Sequence, residues 1–182
     1  VKTREGLRAN MYGEWRDTYV YRNGEKVTTD WRRNQIQVDA CTLIVGLLTR
    51  LFSTDADYTG ISYFAVGSGD VTWDITPPTK DPEQTTLETE TFRKPINTLD
   101  MVFLEADGET VSSTPTNKFL VRCELDYEEG NGDLREFGLF GGYAIATANT
   151  GTHVNWISHS LISKTSDFKL LRDLRITVEL GA

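Results

Sequence analysis

The stretch FLVRCELDY at 119–127 sets the strictest limit on what this chain can fold into. Its residues alternate, with Phe119, Val121, Cys123, Leu125 and Tyr127 on one face and Leu120, Arg122, Glu124 and Asp126 on the other, the period of a β-strand. RITVEL at 175–180 alternates in the same way. Strands are expected at 99–106, 109–113, 117–127, 134–140, 153–160 and 174–180, with Asp107-Gly108 and EEGNGD (128–133) as turns joining antiparallel neighbours. Strands and helices do not alternate along the chain, which argues against a parallel doubly wound sheet. The expected fold is mainly β: an antiparallel β-sandwich with one packed α-helix, an N-terminal β-hairpin and a long Pro-rich loop.

Residues 1–33 read as a hairpin arm and 34–182 as a single domain. In the arm, EWRDTYVYRNGEKVTTDW (14–31) carries aromatic and β-branched residues around Asn23-Gly24, a pair suited to a two-residue type I′ turn. From 34 to 52, Ile36, Ala40, Leu43 or Ile44, Leu47 and Leu51 recur at steps of three to four, which predicts a helix. Val45, Leu48 and Phe52 widen its apolar stripe, so it should be largely buried. ISYFAVGSGD (61–70) is a short apolar strand ending in glycines, and the segment 71–84 holds three of the five prolines. That composition predicts an extended surface loop, partly in polyproline geometry. TTLETETFRKPI (85–96) fits either a short helix or an edge strand.

A chain of 182 residues can bury one real core. Its 27 acidic and 19 basic residues leave a formal charge of −8, which repels phosphate-rich partners, so nucleic acid is not the expected ligand. No run approaches a membrane span of about 20 apolar residues, and VKTREGLRAN at the start lacks the apolar segment of a signal peptide. A protein made in a cytoplasm is expected. Cys41 and Cys123 have no metal-knuckle spacing and read as two small buried hydrophobes.

Catalytic motifs are weak. VGSGD (66–70) lacks the third glycine or the lysine of a phosphate-binding loop and reads as a turn. Asp70, Asp74 and Asp81 match no calcium-loop spacing. His153 and His159 lie roughly 20 Å apart if on one strand, too far to share a metal. The acids Glu124, Asp126, Glu128, Glu129, Asp133 and Glu136 cluster around a turn, where solvation keeps them all ionised, rather than forming the carboxylate pair a glycan hydrolase needs. No enzyme, cofactor or metal site is expected.

The aromatic residues carry more. Trp15, Tyr19, Tyr21 and Trp31 concentrate in the hairpin, and Trp73 stands with Pro77 and Pro78 in the loop. These seven are the expected interface anchors, since aromatic side chains of this kind contact proteins or glycans. In LREFGLFGG (134–142), Arg135 and Glu136 are expected to form a structural ion pair or backbone clamp, on a strand covered on both faces.

Two motifs carry a resemblance. I-x-Y-x-A-x-G-x-G at Ile61, Tyr63, Ala65, Gly67 and Gly69, and R-E-x-G-L-F at Arg135, Glu136, Gly138, Leu139 and Phe140, flank T-x-L-x-x-E-x-x-R-K at Thr85, Leu87, Glu90, Arg93 and Lys94. Together with the order of the other features, the set resembles small structural proteins of tailed bacteriophages, of the collar, baseplate and tail-fibre attachment type. The resemblance implies a non-enzymatic virion protein that self-associates into a symmetric oligomer and bridges neighbouring tail or neck proteins. The competing reading is a glycan-binding β-sandwich of a host-recognition apparatus.

Overall fold

A computed structural model describes residues 8–49, 58–79 and 81–181. In chain order these hold β1 (Arg8–Tyr21), β2 (Lys26–Thr28), β3 (Arg32–Ile36), α1 (Asp39–Thr49), β4 (Thr59–Gly67), β5 (Glu90–Pro95), β6 (Met101–Leu104), β7 (Val111–Ser112), β8 (Lys118–Leu125), β9 (Gly132–Gly142), β10 (Thr152–Lys164) and β11 (Phe168–Gly181). The fold is mainly β, with one α-helix among the described residues. All strands join one open antiparallel sheet in the order β5-β4-β9-β10-β3-β1-β11-β8-β6-β7, with β2 also on β1. Among the described residues no helix is long and apolar enough to cross a membrane.

The sheet doubles over at β3. Arg32, Arg33 and Asn34 pair with Trp15, Glu14 and Gly13 of β1, whereas Gln35 and Ile36 pair with Trp156 and Asn155 of β10. One short strand thus serves both halves, as strands do at sheet corners. Phe64 and Val66 of β4 and Phe137 of β9 then meet Cys123, Leu125 and Leu170 of β8 and β11 in one apolar core. Phe64 and Phe137 stack with ring centres 5.9 Å apart.

Of the expected arm over 1–33, the described part, 8–33, is built into the sheet, and 1–7 lie outside the described residues. β1 pairs with β11 over its full 14 residues, and Trp15 and Asp17 are 4% and 1% exposed. The turn also differs from expectation. Gly24 alone takes positive φ, at 87°, while Asn23 does not. Residues 22–24 form a three-residue loop closed by bonds from the Gly24 and Tyr21 amides to the Tyr21 and Glu25 carbonyls, the arrangement of a type I turn with a glycine bulge.

The helix is shorter than its periodicity suggests. Ile36 belongs to β3, and the helix runs from Asp39 to Thr49; the expected extension over 50–52 lies outside the described residues. Ala40 and Leu43 are buried, but Leu47 is 41% exposed; the side chains of Val45 and Leu48 lie outside the described residues. Residues 90–95 take the edge-strand alternative. Within 71–84, Val71–Asp74 form a 3-10 turn whose Asp70 side chain accepts the Thr72 amide at 2.8 Å.

Candidate functional site

The two motif strands lie side by side. β4 and β9 pair with Tyr63 opposite Phe140, Ala65 opposite Gly138 and Gly67 opposite Glu136. Spacing by two puts these residues on one face, where Ala65 and Phe140 form a second apolar cluster with Leu87, Ala144 and Trp156. The whole run 134–142 is buried, with Leu134, Phe137 and Leu139 in the main core, so both faces of the strand are covered.

Glu136, 0% exposed, is a clamp on the backbone of the segment that crosses this face. Its carboxylate accepts the Thr89 amide at 2.7 Å, the Glu88 amide at 3.0 Å and the Trp156 indole N–H at 3.1 Å. Glycine at 67 is required by this approach, because a Cβ there would stand 2.4 Å from the Thr89 carbonyl oxygen. Arg135 does not pair with Glu136. Its guanidinium makes two bonds to Asp74, of 2.8 and 3.0 Å, and a third to the Ser68 carbonyl, which ties down the 71–74 turn. That pairing holds the Asp74 carboxyl below the usual carboxylate range.

Beside the clamp, Arg93 sits 4.1 Å above the Phe140 ring and His153 stacks on the ring at 4.7 Å. Glu90 holds Arg93 through two bonds of 2.7 and 2.8 Å. His153 Nδ1 donates to the Gln84 carbonyl at 3.0 Å, and burial pushes the ring's pKa down to about 4. His153 is therefore a neutral packing group.

A polar cleft of about 260 Å³ opens where the 71–78 loop passes β3 and β10. Here β10 carries extra residues: Ser158 pairs with Glu136 and Ile162 with Leu134, so three β10 residues stand opposite Arg135 alone. This bulge brings Ser158, His159 and Ser160 to the cleft, facing Arg32, Arg33, Trp15, Trp73, Pro77 and Pro78. The structure thus gathers four of the seven expected anchors around one feature. Trp73 meets Trp156 edge-on at 5.7 Å. Tyr19 and Tyr21 lie elsewhere, packed on Phe168 at 5.3 and 5.6 Å. Trp31 is held between Arg175 and Arg16, at 3.7 and 4.5 Å.

The cleft is cationic in an acidic chain. Asp17 neutralises Arg172 through two 2.6 Å bonds and Asp74 neutralises Arg135, but exposed Arg32 and Arg33 make no ion pair among the described residues. His159 Nδ1 bonds the Ser160 carbonyl at 2.8 Å, so Nδ1 carries the proton and Nε2 is an acceptor. Nε2 is buried without a partner. Burial first, then Arg172, Arg32 and Arg135, push the His159 pKa down to about 3. A larger cavity of about 350 Å³ beside α1 is lined by apolar residues and glycine, with no group to orient a polar ligand.

No local pattern groups Arg32 and Arg33 with His159, since more than a hundred residues of chain separate them. The turn acids are engaged by cations: Glu124 and Asp126 by Lys169, Glu129 by Lys94, and Glu128 by Arg22. Among the described residues no group of three metal-ligating side chains forms. Cys123 is buried but Cys41 is exposed, against the expectation of two buried thiols. No family model, curated protein or solved structure matches this chain.

Proposed function

We propose that this chain is a non-enzymatic structural component of a bacteriophage tail, baseplate or collar, which self-associates and bridges neighbouring virion proteins. The phage assignment rests on the sequence resemblance. The observation that carries the assembly role is a fixed turn that presents apolar side chains to water. Val71 and Ile75 are 68% and 89% exposed, yet the turn between them is held by the Asp70 cap, the Asp74–Arg135 pair and the Trp73–Trp156 contact. Leu99, 84% exposed, is presented in the same way on a turn capped by Asn97. Apolar side chains held rigidly in solvent lose little further entropy when another protein covers them.

This reading moves the contact surface from the hairpin aromatics, which pack within the domain, to Val71, Ile75 and Leu99. Light scattering on the purified chain should give an oligomer, and I75D with L99D should shift it toward monomer without loss of fold. A monomer at all concentrations would refute self-association. Mass spectrometry of purified particles should recover the chain in fixed proportion to the tail proteins, and its absence would refute the virion assignment.

A further inference from the structure

We propose that the cleft between the 71–78 loop and β3/β10 binds an acidic saccharide unit, a sugar ring bearing a carboxylate. This goes beyond the assembly role and does not depend on it. Three observations carry it. First, Arg32 and Arg33 are exposed at the mouth of the cleft and make no ion pair among the described residues, although the chain has an excess of eight acids. Such guanidinium groups match a carboxylate. Second, the wall made by Trp73, Pro77 and Pro78 offers the apolar surface on which the C–H face of a sugar ring packs. Third, Ser158 and Ser160 bring hydroxyl groups to the cleft on the bulged strand, beside His159. Serine hydroxyls both donate to and accept from sugar hydroxyls.

The volume of about 260 Å³ suits one or two sugar rings better than an extended peptide. A simple anion would use the arginines and leave the aromatic wall idle. Cation, apolar wall and hydroxyl partners together describe a uronic-type sugar.

The test uses tetragalacturonate, its methyl ester and a neutral tetrasaccharide against the whole chain. The chain has four tryptophans, so four indole N–H signals report binding by position. Tetragalacturonate should shift the Trp73 signal and leave Trp31 unmoved, and the ester and neutral sugar should bind at least tenfold more weakly. Both arginines are exposed, so Arg32→Gln with Arg33→Gln should keep the fold, checked by circular dichroism, while weakening binding by tenfold or more. The proposal is overturned if the Trp73 signal does not move at about 10 mM sugar, an affinity too weak to be specific. It is equally overturned if inorganic phosphate or a tetra-glutamate peptide binds as tightly, which would make the cleft a general anion or acidic-peptide site.

Discussion

Replacing Glu136 by Gln tests the clamp at its centre. The carboxylate is fully buried and serves three donors, the amides of Glu88 and Thr89 and the Trp156 indole, at 3.0, 2.7 and 3.1 Å. Gln keeps the shape but offers one oxygen and one NH2 group, so its NH2 must face an N–H donor. A hydrogen bond to a charged group contributes about 1.5–3 kcal/mol, and an orphaned buried donor costs about 1–3 kcal/mol. Removing a buried charge also relieves its desolvation, which offsets part of the loss. The net expectation is about 2–3 kcal/mol for Gln. At about 2–4 °C per kcal/mol for a chain of this size, Tm should fall by about 4–12 °C. Urea unfolding should show a lower midpoint with an unchanged slope. Hydrogen exchange should quicken at the Glu88 and Thr89 amides while β8 and β11 stay protected. A loss below about 0.5 kcal/mol, within the range of ordinary surface changes, would refute the clamp.

The buried Asp17–Arg172 pair, with both side chains at most 3% exposed, should cost about 3–5 kcal/mol when Asp17 alone becomes Asn, because Arg172 is then left unpaired in the core. Replacing both partners by Leu and Met should recover most of that loss in the same unfolding assay. Stability should also fall in acid. His153 has a folded pKa of about 4 against 6.5 unfolded, so the unfolded chain binds the extra proton and stability drops as pH falls from about 6.5 to 4. The contribution lost is of order 3 kcal/mol, and a His153→Gln variant should show a flatter pH profile over that window. Thiol titration should label Cys41 at once and Cys123 only on unfolding, since Cys41 is exposed and burial pushes the Cys123 pKa well up.

The second half of the fold was legible because its strands alternate. The expected strands at 117–127 and 174–180 lie within or around β8 and β11. The helix start was misread because Ile36 and Ala40 stand four apart, a spacing that also arises by chance where a strand precedes a helix. Nothing local shows that Arg32–Ile36 bridges two halves of a sheet. The aromatic content of the hairpin looked like an exposed surface because its cover, Phe168 and the core beneath Trp15, lies more than a hundred residues away. The partners of Glu136 were unreadable for a different reason: two are backbone amides, which carry no side-chain signature. Nothing local singles out Arg32 and Arg33, and only the β10 bulge and the loop give them a cleft.

The segment 68–89 has its ends fixed by the sheet, since Gly67 of β4 pairs with Glu90 of β5. Near each end it is fastened by one of two adjacent residues of β9, Arg135 holding Asp74 and Glu136 holding the Glu88 and Thr89 amides, while Val38 and His153 hold Pro82 and Gln84 between them. Adjacent residues on one rigid strand cannot move apart, so the two fasteners share a fixed base but grip points 14 residues apart in sequence. Each should therefore act on its own end. Asp74→Asn should quicken exchange at 70–76 and move the Trp73 indole signal while Thr89 stays protected, and Glu136→Gln should do the reverse. The double variant should then come close to the sum of the two, and any departure measures coupling through Trp156, which bonds Glu136 and packs on Trp73. If either single change frees the whole segment, the loop is one cooperative unit and the cleft wall at Trp73, Pro77 and Pro78 depends on Glu136 as much as on Arg135.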